Sequence, residues 1–204
     1  MKLLIATENP GKFKEISVSL ANLPLTLSSL KELNLTIPDS VEDGKTYAEN
    51  AFKKAQYAAQ KTGLMTLADD SGIAVDALKN ELGVKTRRWG AGANVSDQEW
   101  INYFLKRMES CPDEKRTATF VCNLCLVDKK GNLIKNFIGK TKGKITRALE
   151  APIHPGLPLS SCFIPEGFDK VYITLNTEKK NQLSHRGKAL QQVKDYFQIL
   201  LNKR

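Results

Sequence analysis

Apolar residues open the chain as an unbroken run, Leu3-Leu4-Ile5-Ala6, that gives way to the polar stretch Thr7-Glu8-Asn9-Pro10-Gly11-Lys12. A short apolar run closed by turn residues predicts a buried strand. Phe13, Ile16 and Leu20 then recur at helical spacing, so a helix is expected over 13–20. Between Leu23 and Leu35, leucine and serine alternate around Pro24, which predicts a short second strand and a turn of helix near 30–33. Thr46-x-x-Glu49 has the form of a capping box. It predicts a helix running to about Lys61 and stopping at Gly63, with Ala48, Ala51, Phe52, Ala55 and Ala59 as its packed stripe. Lys53 and Lys54 cannot both join that stripe, so at least one projects to the side.

The next apolar run, Leu64 to Ala68, ends in Asp69-Asp70, followed by Ser71-Gly72 and an alternating run from Ile73 to Leu78. This predicts a strand that stops at two acids, a Ser-Gly turn, and a return into regular structure. A loop spans 81–92. Ser96-Asp97-Gln98-Glu99 is a second capping box, and the helix behind it is expected to bury Trp100, Tyr103, Phe104 and Met108. Strands are predicted over 116–127 and 133–139, joined by the hairpin loop 128–132, with one more short strand near 143–146. After a loop carrying Pro152, Pro155 and Pro158, short strands are expected at 160–164 and 171–175. A last helix over about 187–201 buries Leu190, Val193, Phe197, Leu200 and Leu201. No internal repeat or low-complexity linker interrupts this order. The mixture of strands and helices predicts a mixed α/β fold, organised as one domain over residues 1–204.

At 204 residues, with 41% hydrophobic and 26% charged residues, the chain can bury a sizeable core. No window of about 18 residues is apolar enough to span a bilayer. The N-terminal run turns polar too soon for a signal peptide, so a cytoplasmic protein is expected. The net charge of +9 suits a polyanionic ligand. Aromatic residues are only 7%, which gives a single-stranded nucleic acid little to stack on, so a nucleic-acid partner is not expected. Of the cysteines, Cys122 and Cys125 form a C-x-x-C inside a predicted strand. That odd spacing sends the thiols to opposite faces, and no His cluster completes a zinc site; they read as core residues.

Candidate chemistry centres on Asp69-Asp70. Adjacent carboxylates at the rim of a sheet are costly unless a cation lies beside them. A hard, oxygen-liganded cation, magnesium where a phosphate is the substrate, is the usual solution. Strand, glycine turn, Lys12 and helix start form an anion-holding geometry. Acidic and basic clusters in loops and element ends (7–12, 42–54, 69–70, 87–88 and 180–188) supply the mixture that a metal-bridged phosphate chain needs.

The order and spacing of these clusters resemble the inosine triphosphate pyrophosphatase family, the house-cleaning purine nucleoside triphosphate pyrophosphatases. The matching pieces are Thr7-x-Asn9-x-x-Lys12, Glu42-x-Gly44-x-Thr46-x-x-Glu49-Asn50-Ala51-x-x-Lys54-Ala55, Ala68-Asp69-Asp70-Ser71-Gly72 and Ser184-His185-Arg186-Gly187-Lys188-Ala189-Leu190. The resemblance implies an elongated central mixed sheet flanked by helices, with a cleft between two lobes. It implies a homodimer and a Mg2+-dependent hydrolysis of ITP, dITP or XTP to the monophosphate and pyrophosphate. Carried over by position, Glu42 and Asp70 would hold the metal, and Asp70 with Asp69 would orient or deprotonate the attacking water. Asn9, Lys12 and Lys54 would contact the triphosphate, with Thr7, Ser71 and Arg88 also in the substrate-binding set. Lys180, Ser184, His185 and Arg186 would lie along the base, Arg186 and the His185 backbone meeting the purine 6-oxo group.

Two segments depart from the family pattern. Where relatives usually carry aromatic-Gly-aromatic-Asp-Pro, this chain has Leu157-Pro158-Leu159-Ser160-Ser161. Its segment 79–88 keeps Arg88 but has Leu82 and Thr86 in place of Pro and Ser. An active pyrophosphatase with loosened or shifted base selectivity is therefore expected. Two other readings compete: a pyrophosphatase of the related septum-site type, acting on pyrimidine or modified nucleotides, and a catalytically impaired nucleotide- or nucleic-acid-binding module.

Overall fold

Among the described residues, six strands form one sheet in the order β2-β1-β3-β4-β5-β6: β1 (Lys2–Ala6), β2 (Thr26–Ser29), β3 (Thr66–Val75), β4 (Thr117–Val127), β5 (Leu133–Ile145) and β6 (Phe163–Pro165). In this computed structural model, which describes residues 1–79, 81–92 and 95–202, β1 pairs in parallel with both β2 and β3, and every later pairing is antiparallel. Of Arg87, Arg88, Thr177 and Asn181, only the backbone is described. The helices are α1 (Pro10–Leu20), α2 (Tyr47–Thr62), α3 (Asp97–Arg107), α4 (Thr177–Leu183) and α5 (His185–Asn202). None of them is long and apolar enough to cross a membrane. The mixed α/β class expected from the sequence is the observed one.

Because side chains alternate along a strand, β3 serves two cores at once. Leu67 packs on one face with Leu3, Ile5, Ile16, Val193 and Phe197, under α1 and α5. Ala68 packs on the other with Ala51, Ala55, Ala58 and Ala59 of α2. The thiols of Cys122 and Cys125 divide between the same two cores, as their spacing predicted. A third core, with Trp100, Phe104, Phe120, Phe163 and Tyr172, fills the lobe beyond the far half of β3.

Local chemistry sets the helix ends. Thr46 caps α2 by accepting from the Glu49 N–H at 3.1 Å, and Gly63 ends it in the left-handed region at φ 67°. Glu49 returns its bond one residue earlier than expected, to the Lys45 N–H at 2.7 Å. At Ser96 the capping box is complete.

Several expectations are corrected. The strand does not stop at the acids: β3 runs through Asp69, Asp70, Ser71 and Gly72 to Val75. Gly72 is there for close approach, not for a turn. A Cβ on it would lie 2.6 Å from both the Thr86 Oγ1 and the Tyr47 hydroxyl, and 2.8 Å from the Gly83 carbonyl. Strand β5 absorbs the short strand expected near 143–146. The segment 171–175 contains a 3-10 turn, Tyr172–Thr174, in place of a strand. The segment 30–33 is turn, not helix. On α2 the packed face is rotated: Ala58 is buried with Asn50 and Lys54, while Ala48 and Phe52 are only partly covered. Tyr103 on α3 is 37% exposed, so that helix buries its other aromatic residues alone. Leu200 and Leu201 on α5 are only half-buried, Leu200 packing at the edge of the core that holds Val193 and Phe197.

Candidate active site

Asp69 and Asp70 leave opposite faces of β3, and each meets the charges carried by the helix on its own side. On the α1/α5 face, Asp69 is 1% exposed. Its Oδ1 lies 2.5 Å from the Lys12 Nζ and its Oδ2 accepts from the Arg186 Nε at 2.9 Å. It also accepts from the Ser71 hydroxyl at 3.0 Å and the Cys122 thiol at 3.2 Å. Burial opposes ionisation of this carboxyl, but Arg186 and Lys12 outweigh it and hold the group well below the usual carboxylate range. The same surroundings push the Cys122 thiol well up, through burial and the neighbouring Asp69 charge, so it stays protonated and donates.

Asp70, on the α2 face, has poorer company. Its Oδ1 is 3.5 Å from the Lys54 Nζ, and its buried Oδ2 has no hydrogen-bond partner among the described residues. Burial raises its pKa more than Lys54 and Lys12 lower it. The same Lys54 ammonium lies 2.7 Å from the Glu42 Oε1, so two carboxylates drawn from separate segments converge on one cation. Lys54 is 8% exposed, and although burial disfavours its charge, Asp70 and Glu42 more than restore it. Its neighbour Lys53 projects sideways onto Asp43.

The first βα turn is built as the sequence suggested, with one difference. Asn9 caps α1, accepting from the Lys12 N–H at 3.0 Å while its Nδ2 donates to the Gly156 carbonyl at 3.0 Å. Thr7 in turn accepts from the Asn9 N–H at 3.3 Å. Both ends of the Asn9 amide thus fasten the loop 152–158 to the start of α1. The Gly156 N–H donates to Asp97 at 2.6 Å, which ties the same loop to α3.

At the far end of the chain, the start of α5 is pressed against β5. A Cβ on Gly139 would lie 1.8 Å from the His185 carbonyl, a distance only glycine permits. His185 is buried with its ring stacked on Phe120 at 4.7 Å, and burial lowers its pKa to about 3, so it is neutral. Ser184 caps the turn by accepting from the Gly187 N–H at 2.9 Å. Arg186 is 3% exposed and reaches Asp69, Ser71 (3.1 Å) and Glu15.

Glu15 is the residue that the sequence reading missed. It ion-pairs with Arg186 and with Lys180, the latter at 2.6 Å. Burial works against its charge, but Arg186 and Lys180 prevail and lower its pKa. Lys12, Asp69, Arg186, Glu15 and Lys180 therefore form one alternating chain of charges. The only signal for it in the sequence was a carboxylate one helical turn after Lys12.

These groups surround a cavity of about 450 Å³, within the range of small-molecule sites. Thr7, Asn9, Lys12, Glu42, Lys54, Asp70, Ser71, Lys180, Ser184, His185 and Arg186 all line it, as do Leu157 and Ser160. Asp69 lies just behind, screened by its cations. The Arg88 side chain lies outside the described residues. The Thr86 Oγ1 donates to the Gly83 carbonyl at 2.6 Å and accepts from the Ile73 N–H at 3.2 Å.

Among the described residues no three His, Cys, Asp or Glu side chains converge as a metal cage. The donor set still fits a magnesium ion, which typically takes one or two carboxylates and fills its other positions with substrate phosphate and water. Glu42 and Asp70 supply those carboxylates, and the Asp70 Oδ2 is the buried oxygen lacking a partner.

Such a structure, a mixed α/β sheet with a carboxylate-bearing strand crossing an ion-lined cleft, defines a protein of the ITPase-like α/β class. The sequence profile of the Ham1 family matches residues 3–196, and the chain belongs to that family. It is 41% identical over 197 residues to a dITP/XTP pyrophosphatase of Geobacter sulfurreducens, covering 96% of each chain. It is 42% identical over 194 residues to a dITP/XTP pyrophosphatase of Thermus thermophilus, covering 93% of this chain and 88% of that one. Among solved structures, a HAM1 protein from Coxiella burnetii superposes with a TM-score of 0.81 at 31% identity, over 99% of both chains.

Proposed function

We propose that this protein hydrolyses the non-canonical purine nucleoside triphosphates ITP, dITP and XTP, each bearing a 6-oxo group, to the monophosphate and pyrophosphate. The relatives named above carry the corresponding names. The observation that carries the reading for this chain is the Asp70 carboxylate. It is buried, under-partnered and lifted in pKa, at the wall of a cavity lined elsewhere by Lys12, Lys54, Lys180 and Arg186. A carboxylate at the cavity wall with an unpartnered oxygen suits orienting or deprotonating the attacking water, the role given to Asp70. Asp69, neutralised by two cations, instead fixes Lys12 and Arg186.

Glu42 and Asp70 would hold a magnesium ion, which when bound offsets the charge of the triphosphate and polarises the reacting phosphoryl group. Lys54 keeps the two carboxylates together and presents an ammonium to phosphate oxygens. Lys12, at the positive end of α1, does the same from the opposite face. Arg186 is anchored by Asp69, Glu15 and Ser71, and its remaining N–H donors suit an oxo acceptor and repel the amino group of adenine. Leu157 in the cavity wall lacks the aromatic surface that would stack on a base, which supports broader base selectivity. A homodimer and a cytoplasmic location belong to the same proposal through the family resemblance; size-exclusion chromatography tests the first.

Pyrophosphate release measured with magnesium on ITP, dITP, XTP, GTP, ATP and pyrimidine triphosphates decides the matter. Turnover of ITP, dITP and XTP well above ATP and GTP supports the proposal. A pyrimidine preference would move the protein to the septum-site type, and nucleotide binding without release would make it a binding module.

A further inference from the structure

We propose that Trp100 is a specificity-determining residue that donates its indole N–H to an acceptor on the nucleobase. The inference rests on the pyrophosphatase reading above and adds a contact to it. Trp100 sits one turn into α3, is 2% exposed and lines the cavity. Its Nε1 is buried with no hydrogen-bond partner among the described residues. A buried N–H without an acceptor costs free energy that a ligand oxygen or ring nitrogen would recover. Indole nitrogen is a donor only, so its complement in the substrate is an acceptor.

The base is the part of the substrate that fits. Trp100 shares its apolar cluster with Phe120 and Leu159, while the cations assigned to the triphosphate are Lys12 and Lys54. Leu157 brings no hydrogen-bonding side chain to the cavity. The indole is also held rigidly. It lies parallel to Phe104 at 5.6 Å and edge-on to Trp89 at 6.5 Å. The Asp97 bond to the Gly156 N–H fixes the start of its helix against the loop that carries Leu157. A donor held this way discriminates between an oxo group or ring nitrogen, which accept, and an exocyclic amino group, which does not.

Trp100→Phe keeps a ring against Phe104 and removes the N–H. Steady-state kinetics should show KM for ITP and XTP rising about 5- to 10-fold, with kcat within about twofold. The Ki of inorganic tripolyphosphate, which has no base, should not change. Equal rises in KM and Ki, or an unchanged KM for ITP, would overturn the assignment. So would a loss seen with ITP and absent with dITP, which would place the contact on the sugar. In Trp89→Phe, Trp100 is the sole indole. Titration with ITP should then change its emission while tripolyphosphate leaves it unaltered; emission indifferent to ITP would sink the proposal. If the wild type releases no pyrophosphate from any substrate, the enzyme reading falls, and the emission titration still decides on Trp100.

Discussion

Asp69 and Asp70 are consecutive on β3, yet their carboxylates occupy opposite faces of the sheet and opposite electrostatic states. Asp69 is clasped by Lys12 and Arg186 and held ionised; Asp70 shares Lys54 with Glu42 and keeps one buried oxygen unpartnered. Strand alternation produces the difference without any change in residue type. Their replacements should therefore fail in different ways.

Asp70→Asn should lose roughly a thousandfold in kcat, the order of general-base catalysis together with a metal ligand. Its melting temperature should hold or rise, since burial already disfavours the charge at that position. Pyrophosphate release and thermal melting on the same sample check both halves. A variant that is both inactive and unfolded would contradict the assignment.

Asp69→Asn removes the anion shared by the buried Arg186 and the half-buried Lys12. Breaking a buried pair costs about 3–5 kcal/mol, which for a chain of this size lowers the melting temperature by roughly 10 °C. Calorimetry measures this directly. The Asp69 variant should be the less stable of the two at every pH where both fold.

Glu15 predicts a pH dependence of stability. Its folded pKa is lowered, so its contribution is complete above the unfolded glutamate value and fades as pH falls through the folded one. Glu15→Gln should thus be destabilised at neutral pH, and the gap from wild type should close as the solution is acidified. Urea midpoints collected from neutral pH downward test the sign. A gap that widened in acid would be inconsistent with the ion pairs to Arg186 and Lys180.

Gly139→Ala should be harsh for so small a change. The added carbon would meet the His185 carbonyl at 1.8 Å, and backbone cannot swing aside as a flexible side chain can. We expect a loss of about 1–3 kcal/mol, with KM for ITP raised because the start of α5 carries Ser184, His185 and Arg186. Chemical denaturation and steady-state kinetics report the two effects.

Much of this was legible in the chain because the periodicity is strong where elements are buried on one side. The first strand, the helix α2 with its cap at Thr46, and the second cap at Ser96 all follow from pattern and turn chemistry, although the pattern places the packed face of α2 only in part. Gly72 misled because glycine after Asp-Asp-Ser reads as a turn. Its crowding by Thr86, Tyr47 and Gly83 is visible only once those segments are folded against β3. The segment 171–175 misled because a short run with β-branched residues suits a strand or a 3-10 turn equally. There the Thr174 hydroxyl, donating to the Val171 carbonyl at 2.8 Å, accompanies the turn.

In the site, the residues that stand in compact motifs could be found, and those that act through distant partners could not. Glu15 looks like one acid on a solvated helix, just after Lys12 and Lys14. Its role depends on Lys180 and Arg186, both more than 160 positions away. Trp100 sits at a core position of its helix, and nothing in the spacing says that its nitrogen is left over.

The clasp on Asp69 joins residues made at opposite ends of translation. Lys12 emerges from the ribosome early, but Arg186 follows Asp69 by 117 positions. Until that arginine is synthesised, a nascent chain holds a buried-to-be carboxylate with only half its counter-charge. Shortened products of interrupted synthesis that end before α5 therefore lack the closing half of the clasp.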